Sequence, residues 1–207
     1  MKIIYGVIPL IIYTISASLH AAPFCGELEN GYGPFDYTDP VDKKHKLPVV
    51  EKHHFNSNVE KLIQGQTGQL GGDLDYTLRA FPNHHKALGS IAKLGLREKA
   101  SKLRGANYSV LCYFDRALRF KPNDAAVRMI YGDYLLKLGK ADQAREQLQE
   151  AVRLQPENPT INYNLGLLYL KQNDYEKAKT YAKKAYELGF PLPGLKNQLM
   201  QAGKWED

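Results

Sequence analysis

Cysteine is scarce in this chain of 207 residues, and the two present, Cys25 and Cys112, lie too far apart to form the C-x-x-C arrangement of a redox centre or a zinc site. Apolar runs are short, and none reaches the ~20 residues needed to cross a bilayer. Catalytic signatures are missing as well: there is no G-x-S-x-G, no H-E-x-x-H and no glycine loop followed by the lysine that would help cradle a phosphate. Charge of one sign is not concentrated either. The 28 Lys and Arg are interleaved with 22 Asp and Glu, so the net charge of +6 forms no basic stripe, which argues against nucleic-acid binding. These absences point to a protein that works without a cofactor, without nucleic acid and without a stable membrane span.

What is present begins with a leader pattern. Lys2 precedes an apolar run from Ile3 to Ile15, and the small residues Ser16, Ala17, Ser18, Ala21 and Ala22 follow where a signal peptidase cuts. Residues 1–22 are therefore expected to be a signal peptide cleaved after Ala21 or Ala22, leaving a periplasmic or secreted chain. In an oxidising compartment an even cysteine count favours pairing, so a Cys25–Cys112 disulfide is expected. The alternative is a buried, apolar Cys112 with Cys25 left as a free thiol.

Sliding the chain against itself by about 34 residues aligns Gly132 with Gly166, Leu135 with Tyr169, Ala144 with Ala178 and Ala151 with Ala185, while Ala117 and Pro122 fall on Ala151 and Pro156. Two antiparallel helices approach closely only where one presents Gly or Ala to a larger residue opposite, and large apolar residues fill the remaining positions at helical spacing. Pro156 and Asn158-Pro159 then stop one helix and start the next. The pattern resembles the tetratricopeptide repeat, most closely from Pro159 to Leu192 and next from Ala125 to Asn158. The resemblance implies an all-α, right-handed solenoid of helical hairpins. Its array is expected to span residues 73–192, as a lone second helix (73–84), a long degenerate unit (85–124) whose excess falls between Arg97 and Asn107, and two regular units (125–158 and 159–192). A capping helix and tail (193–207) would hide the last apolar face with Leu195, Leu199 and Met200.

Residues 23–72 differ in composition, with glycine and proline among Phe24, Tyr32, Phe35 and Tyr37. This segment is expected to be extended and irregular and to pack on the array. It is expected to hold one short helix, started by the Ser57 and Glu60 capping box and ended near Gly65. Asp73 and Asp75 are read as a helix cap and a first-turn acid, and Gly68 to Gly72 as a turn.

For function, the resemblance implies a groove lined by the first helices of successive units, which binds a protein or peptide partner. Its positions here are Ala126, Met129, Asp133, Leu136 and Lys137, then Thr160, Tyr163, Asn164, Leu167, Leu170 and Lys171, with Lys86 and Lys93 extending it. Of the residues by which some members clamp a C-terminal carboxylate, only Asn164 is present, since Gly89 and Lys93 stand where lysine and asparagine would be. Tyr163 and Leu167 are alternatively covered by the N-terminal segment of the same chain. The leading expectation is a non-catalytic periplasmic adaptor or scaffold serving the assembly of a cell-envelope complex, with no metal. Two alternatives are an exported metal-dependent enzyme using His53, His54, His84 and His85, and a self-assembling structural protein. Sequence neighbours point apart on a helix or a strand, so each histidine pair is read as surface or turn residues rather than as a joint site.

Overall fold

Asp124 and Asn158 start the two regular units in the same way: each side-chain oxygen accepts from the second and third amides of the helix that follows. These helices are α7 (Ala125–Lys137) and α9 (Pro159–Lys171), and each folds back against a second helix, α8 (Ala141–Leu154) and α10 (Tyr175–Glu187). The crossings are as close as the small residues suggested. A Cβ on Gly132 would stand 2.6 Å from Cγ of Leu148, and one on Gly166 3.4 Å from the Ala178 carbonyl of α10 and 2.6 Å from Cδ2 of Leu195, which follows α10. Ala144, Ala151, Ala178 and Ala185 are fully buried between neighbours.

The structure is a computed structural model that describes residues 24–205. The leader expected over residues 1–22 lies outside the described residues, as do the last two residues of the tail. The described residues form eleven helices and no strand. Upstream of the regular units, α5 (His85–Glu98) and α6 (Val110–Phe120) make the long unit. Its extra chain is a loop over residues 99–109, tied by a single bridge between Lys102 and Ser109. Downstream, α11 (Gly194–Gln201) buries Leu195 and Leu199, while Met200 stays exposed. Apolar side chains form one cluster under α5 to α7 and a second from α7 to α11, with Leu111 and Tyr131 packed against both.

The N-terminal region is more ordered than its composition suggested. Irregular chain runs to Asp39 and again over residues 61–69, and between them lie three helices: α1 (Pro40–His45), α2 (Leu47–His54) and α3 (Ser57–Glu60). Pro40 and Pro48, read as irregular-chain signals, sit in the first turns of α1 and α2, where a missing N–H costs nothing. The cap of α3 is Asn56 rather than Ser57. The next helix, α4 (Leu70–Ala80), is not a lone second helix, because α2 packs against it. Leu47 and Val50 meet Ala80 and Phe81 beneath Tyr32, Phe35 and Tyr37.

Both aspartates of α4 act tertiarily. Gly71 and Gly72 are already helical, so Asp73 is too far along to cap. Its carboxylate turns back instead, accepting from the Gln66 amide at 2.6 Å and the Thr67 hydroxyl at 2.6 Å and pairing with His54 at 3.1 Å. Asp75 is buried and accepts from Arg79 Nε at 2.9 Å, Asn107 Nδ2 at 3.0 Å and the Tyr113 hydroxyl, which holds the long loop against α4. Cys25 and Cys112 form the expected disulfide, with Cα atoms 5.1 Å apart, and no cysteine is left free.

Candidate partner-binding groove

The first helices of successive units, α5, α7 and α9, lie side by side and leave a concavity of about 410 Å³. Lys86 and Lys93 come from α5, Met129, Asp133 and Lys137 from α7, and Asn164 from α9, so six of the expected groove residues line one space. Ala92, Leu96, Ile130 and Tyr134 add apolar surface, and Glu60 closes one edge. Residues on one helix face recur every three or four positions, which is why Lys86, Gly89, Lys93 and Leu96 share it. Continuing that spacing from Lys93 would have found Leu96; nothing local could have found Glu60, which belongs to α3.

The rim is cationic but not uniformly free. Lys86 pairs with Glu60 at 3.3 Å, a contact that raises the lysine pKa, and Lys137 pairs with Asp133 at 2.7 Å. Both pairs are exposed, so water screens them and a competing carboxylate can replace either acid at small cost. Lys93 makes no ion pair among the described residues. His85 also lines the groove, its Nε2 2.9 Å from Oδ2 of Asp124. Burial alone would raise the Asp124 carboxyl, but the contact with His85 and amide donors overcome it and hold it below the usual carboxylate range.

The remaining expected positions lie elsewhere. Leu136, Leu167 and Leu170 are partly buried against the second apolar cluster, and Lys171 reaches the Leu136 carbonyl at 3.4 Å. Ala126 is partly buried near the cap of α7 and Thr160 is exposed in the first turn of α9. Tyr163 is covered by the chain itself, though not by the N-terminal segment. Its ring stacks on Phe190 at 4.0 Å, and a Cβ on Gly194 would stand 2.9 Å from its hydroxyl. The turn into the capping helix thus closes that end of the array.

The histidines are distributed among separate carboxylates: His54 with Asp73, His84 with Glu51 and His85 with Asp124, while His53 is exposed. Among the described residues no group of three His, Cys, Asp or Glu is placed to hold a metal ion. His84 is not a surface residue. It is fully buried between Tyr37 and Phe55, and its Nδ1 caps α5 by accepting from the Ala87 amide at 3.1 Å.

This stack of helical hairpins matches what is known of related chains. Residues 131–189 fit the family pattern described as tetratricopeptide repeat. This stretch carries tetratricopeptide repeats. Among solved structures it is similar to PilF of Pseudomonas aeruginosa, with 21% identity and a TM-score of 0.55 over 79% of this chain and 70% of that one, a likeness of fold. It is also similar to YrrB, described as a TPR protein with an unusual peptide-binding site, with 22% identity and a TM-score of 0.47 over 66% of this chain and 65% of that one. Among curated proteins, the anaphase-promoting complex subunit CDC16 of Saccharomyces cerevisiae is 28% identical over 86 residues. That match takes in 42% of this chain and 10% of the yeast protein. The array therefore shares the helical-hairpin fold of tetratricopeptide repeats.

Proposed function

We propose that this protein is a non-catalytic adaptor that holds a polypeptide partner in the α5–α7–α9 groove and serves a complex of the cell envelope, in the periplasm or outside the cell. The observation that carries the reading is the groove itself: successive first helices present a partly apolar surface with lysines at its edge, which suits an extended or helical segment bearing acidic groups. The apolar start of the sequence and the Cys25–Cys112 pair support an oxidising compartment. None of the described helices is long and apolar enough to cross a membrane.

The test places a photo-crosslinking amino acid at Met129, in the groove, or at Glu146, exposed on α8, in otherwise unaltered protein in its own cells. The Met129 derivative is expected to give a discrete crosslinked species and the Glu146 derivative none, with the protein released in the periplasmic or secreted fraction. Equal crosslinking from both positions would remove the groove from the account. Recovery of the protein in the cytosol with two free thiols would remove the compartment.

A further inference from the structure

A second concavity, of about 430 Å³, opens beside the groove and is built by the extra chain between α5 and α6. Leu96, Leu111 and Tyr134 give it apolar walls, and Leu138, 40% exposed, stands at its lip. Leu96 and Tyr134 also line the groove, so the two spaces adjoin. Among the described residues no acidic side chain lines this pocket, whereas Lys99 and Lys140 do, and neither makes an ion pair there. Lys99 ends α5 at φ 52, in the left-handed region that Gly139 and Gly189 occupy after α7 and α10 and Asn173 after α9. Glycine holds that conformation without strain, and a lysine there is disfavoured, yet it puts a cation beside the pocket.

We propose that this pocket receives one large apolar side chain of the partner segment lying in the groove, with an adjacent carboxylate held by Lys99 and Lys140. The inference rests on reading the groove as the partner face and adds the chemistry by which the partner is chosen. The volume lies in the range of about 300–1,000 Å³ typical of ligand sites. Its place beside the groove, across Leu96 and Tyr134, favours an anchor carried by a longer polypeptide. Apolar burial supplies the anchor's affinity, and the two lysines set which neighbours of the anchor are accepted.

The experiment selects twelve-residue peptides from a random displayed library on the immobilised full chain, then measures their binding to variants by fluorescence anisotropy. Selected peptides are expected to share a Phe, Leu or Met beside Asp or Glu. They are expected to bind at least about tenfold more weakly to Leu138→Asp and to the double variant Lys99→Glu with Lys140→Glu, with helical content unchanged. Absence of any selected peptide, or selected peptides that lack this pairing or bind Leu138→Asp as they bind the wild type, overturns the proposal. Met129→Arg separates the two readings. Loss of binding in Met129→Arg but not in Leu138→Asp keeps the groove and rejects the pocket, whereas the reverse keeps the pocket and rejects the groove.

Discussion

Arg116 donates from Nη1 to the Cys25 carbonyl at 3.2 Å, and Cys112, one helical turn earlier on α6, is disulfide-bonded to the same residue. The same nitrogen donates to the Glu27 carbonyl at 2.6 Å, and the guanidinium lies over the Tyr108 ring at 4.5 Å. Arg116 is only 1% exposed, so the N-terminal segment is held to α6 by a buried cation as well as by a covalent bond. Arg116→Met keeps the bulk but leaves those carbonyls without their donor, an expected loss of about 1–3 kcal/mol. Urea unfolding measures it, and limited proteolysis should cut sooner between residues 26 and 39. Unchanged stability and unchanged cleavage would show that the disulfide alone holds the segment.

Reducing Cys25–Cys112 opens a cross-link that spans a sequence separation of 87. The cross-link restricts the unfolded chain, so its loss is expected to remove about 2–4 kcal/mol. The unfolding midpoint with and without reductant checks this. A midpoint that does not move would show that the cross-link contributes no net stability.

Stability should fall as pH drops below 6.5, because of His84. Burial favours its neutral form, and the hydrogen bond with Glu51 at 3.3 Å opposes this only in part, so its pKa stands below the ordinary 6.5. Since Nδ1 accepts from Ala87, the proton sits on Nε2, facing Glu51; His85 and Lys86 are the neighbouring cationic or protonatable groups on α5, and Tyr37 packs on the ring. Between 6.5 and the lower folded value the unfolded chain binds more protons, so stability is present above that window and is lost through it, by at most about 1.4 kcal/mol per pH unit. His84→Asn keeps a capping oxygen and removes the titration, so its stability should be flatter just below pH 6.5. Asp36, Asp73 and Asp124, all held below the ordinary 3.8, act in a separate window below about pH 4. An equal slope in wild type and His84→Asn would assign the acid sensitivity to other groups.

Tyr163 separates core from groove. Its ring is covered by Phe190, so Tyr163→Ala is expected to destabilise the turn and α11 by about 1–3 kcal/mol while leaving crosslinking from Met129 intact. Hydrogen exchange of the α11 amides reads the first effect. Loss of crosslinking with unchanged exchange would return Tyr163 to the binding face.

Much of the array was legible because its information is local. Gly132, Ala144 and Ala151 recur as Gly166, Ala178 and Ala185, and Asn158-Pro159 marks a helix start within a few residues. The resemblance to the tetratricopeptide repeat named Lys86, Lys93, Met129, Asp133, Lys137 and Asn164 as groove positions, and spacing within each helix puts them on one face, where they line one space. The cysteine pair was expected from the even count and the leader pattern, with a free Cys25 as the alternative, and the structure pairs it. What the sequence by itself determined, then, is the repeat, its small-residue crossings and the chemistry along one helix face. Only the tertiary structure decided what lies over that face and beneath it: α2 against α4, Phe190 over Tyr163, and the loop 99–109 that makes the second pocket. His84 shows the physical reason most directly. Its burial depends on Tyr37, Glu51 and Phe55, which the chain brings together by packing two separate segments against the start of α5, and no spacing rule within a helix can encode that distance.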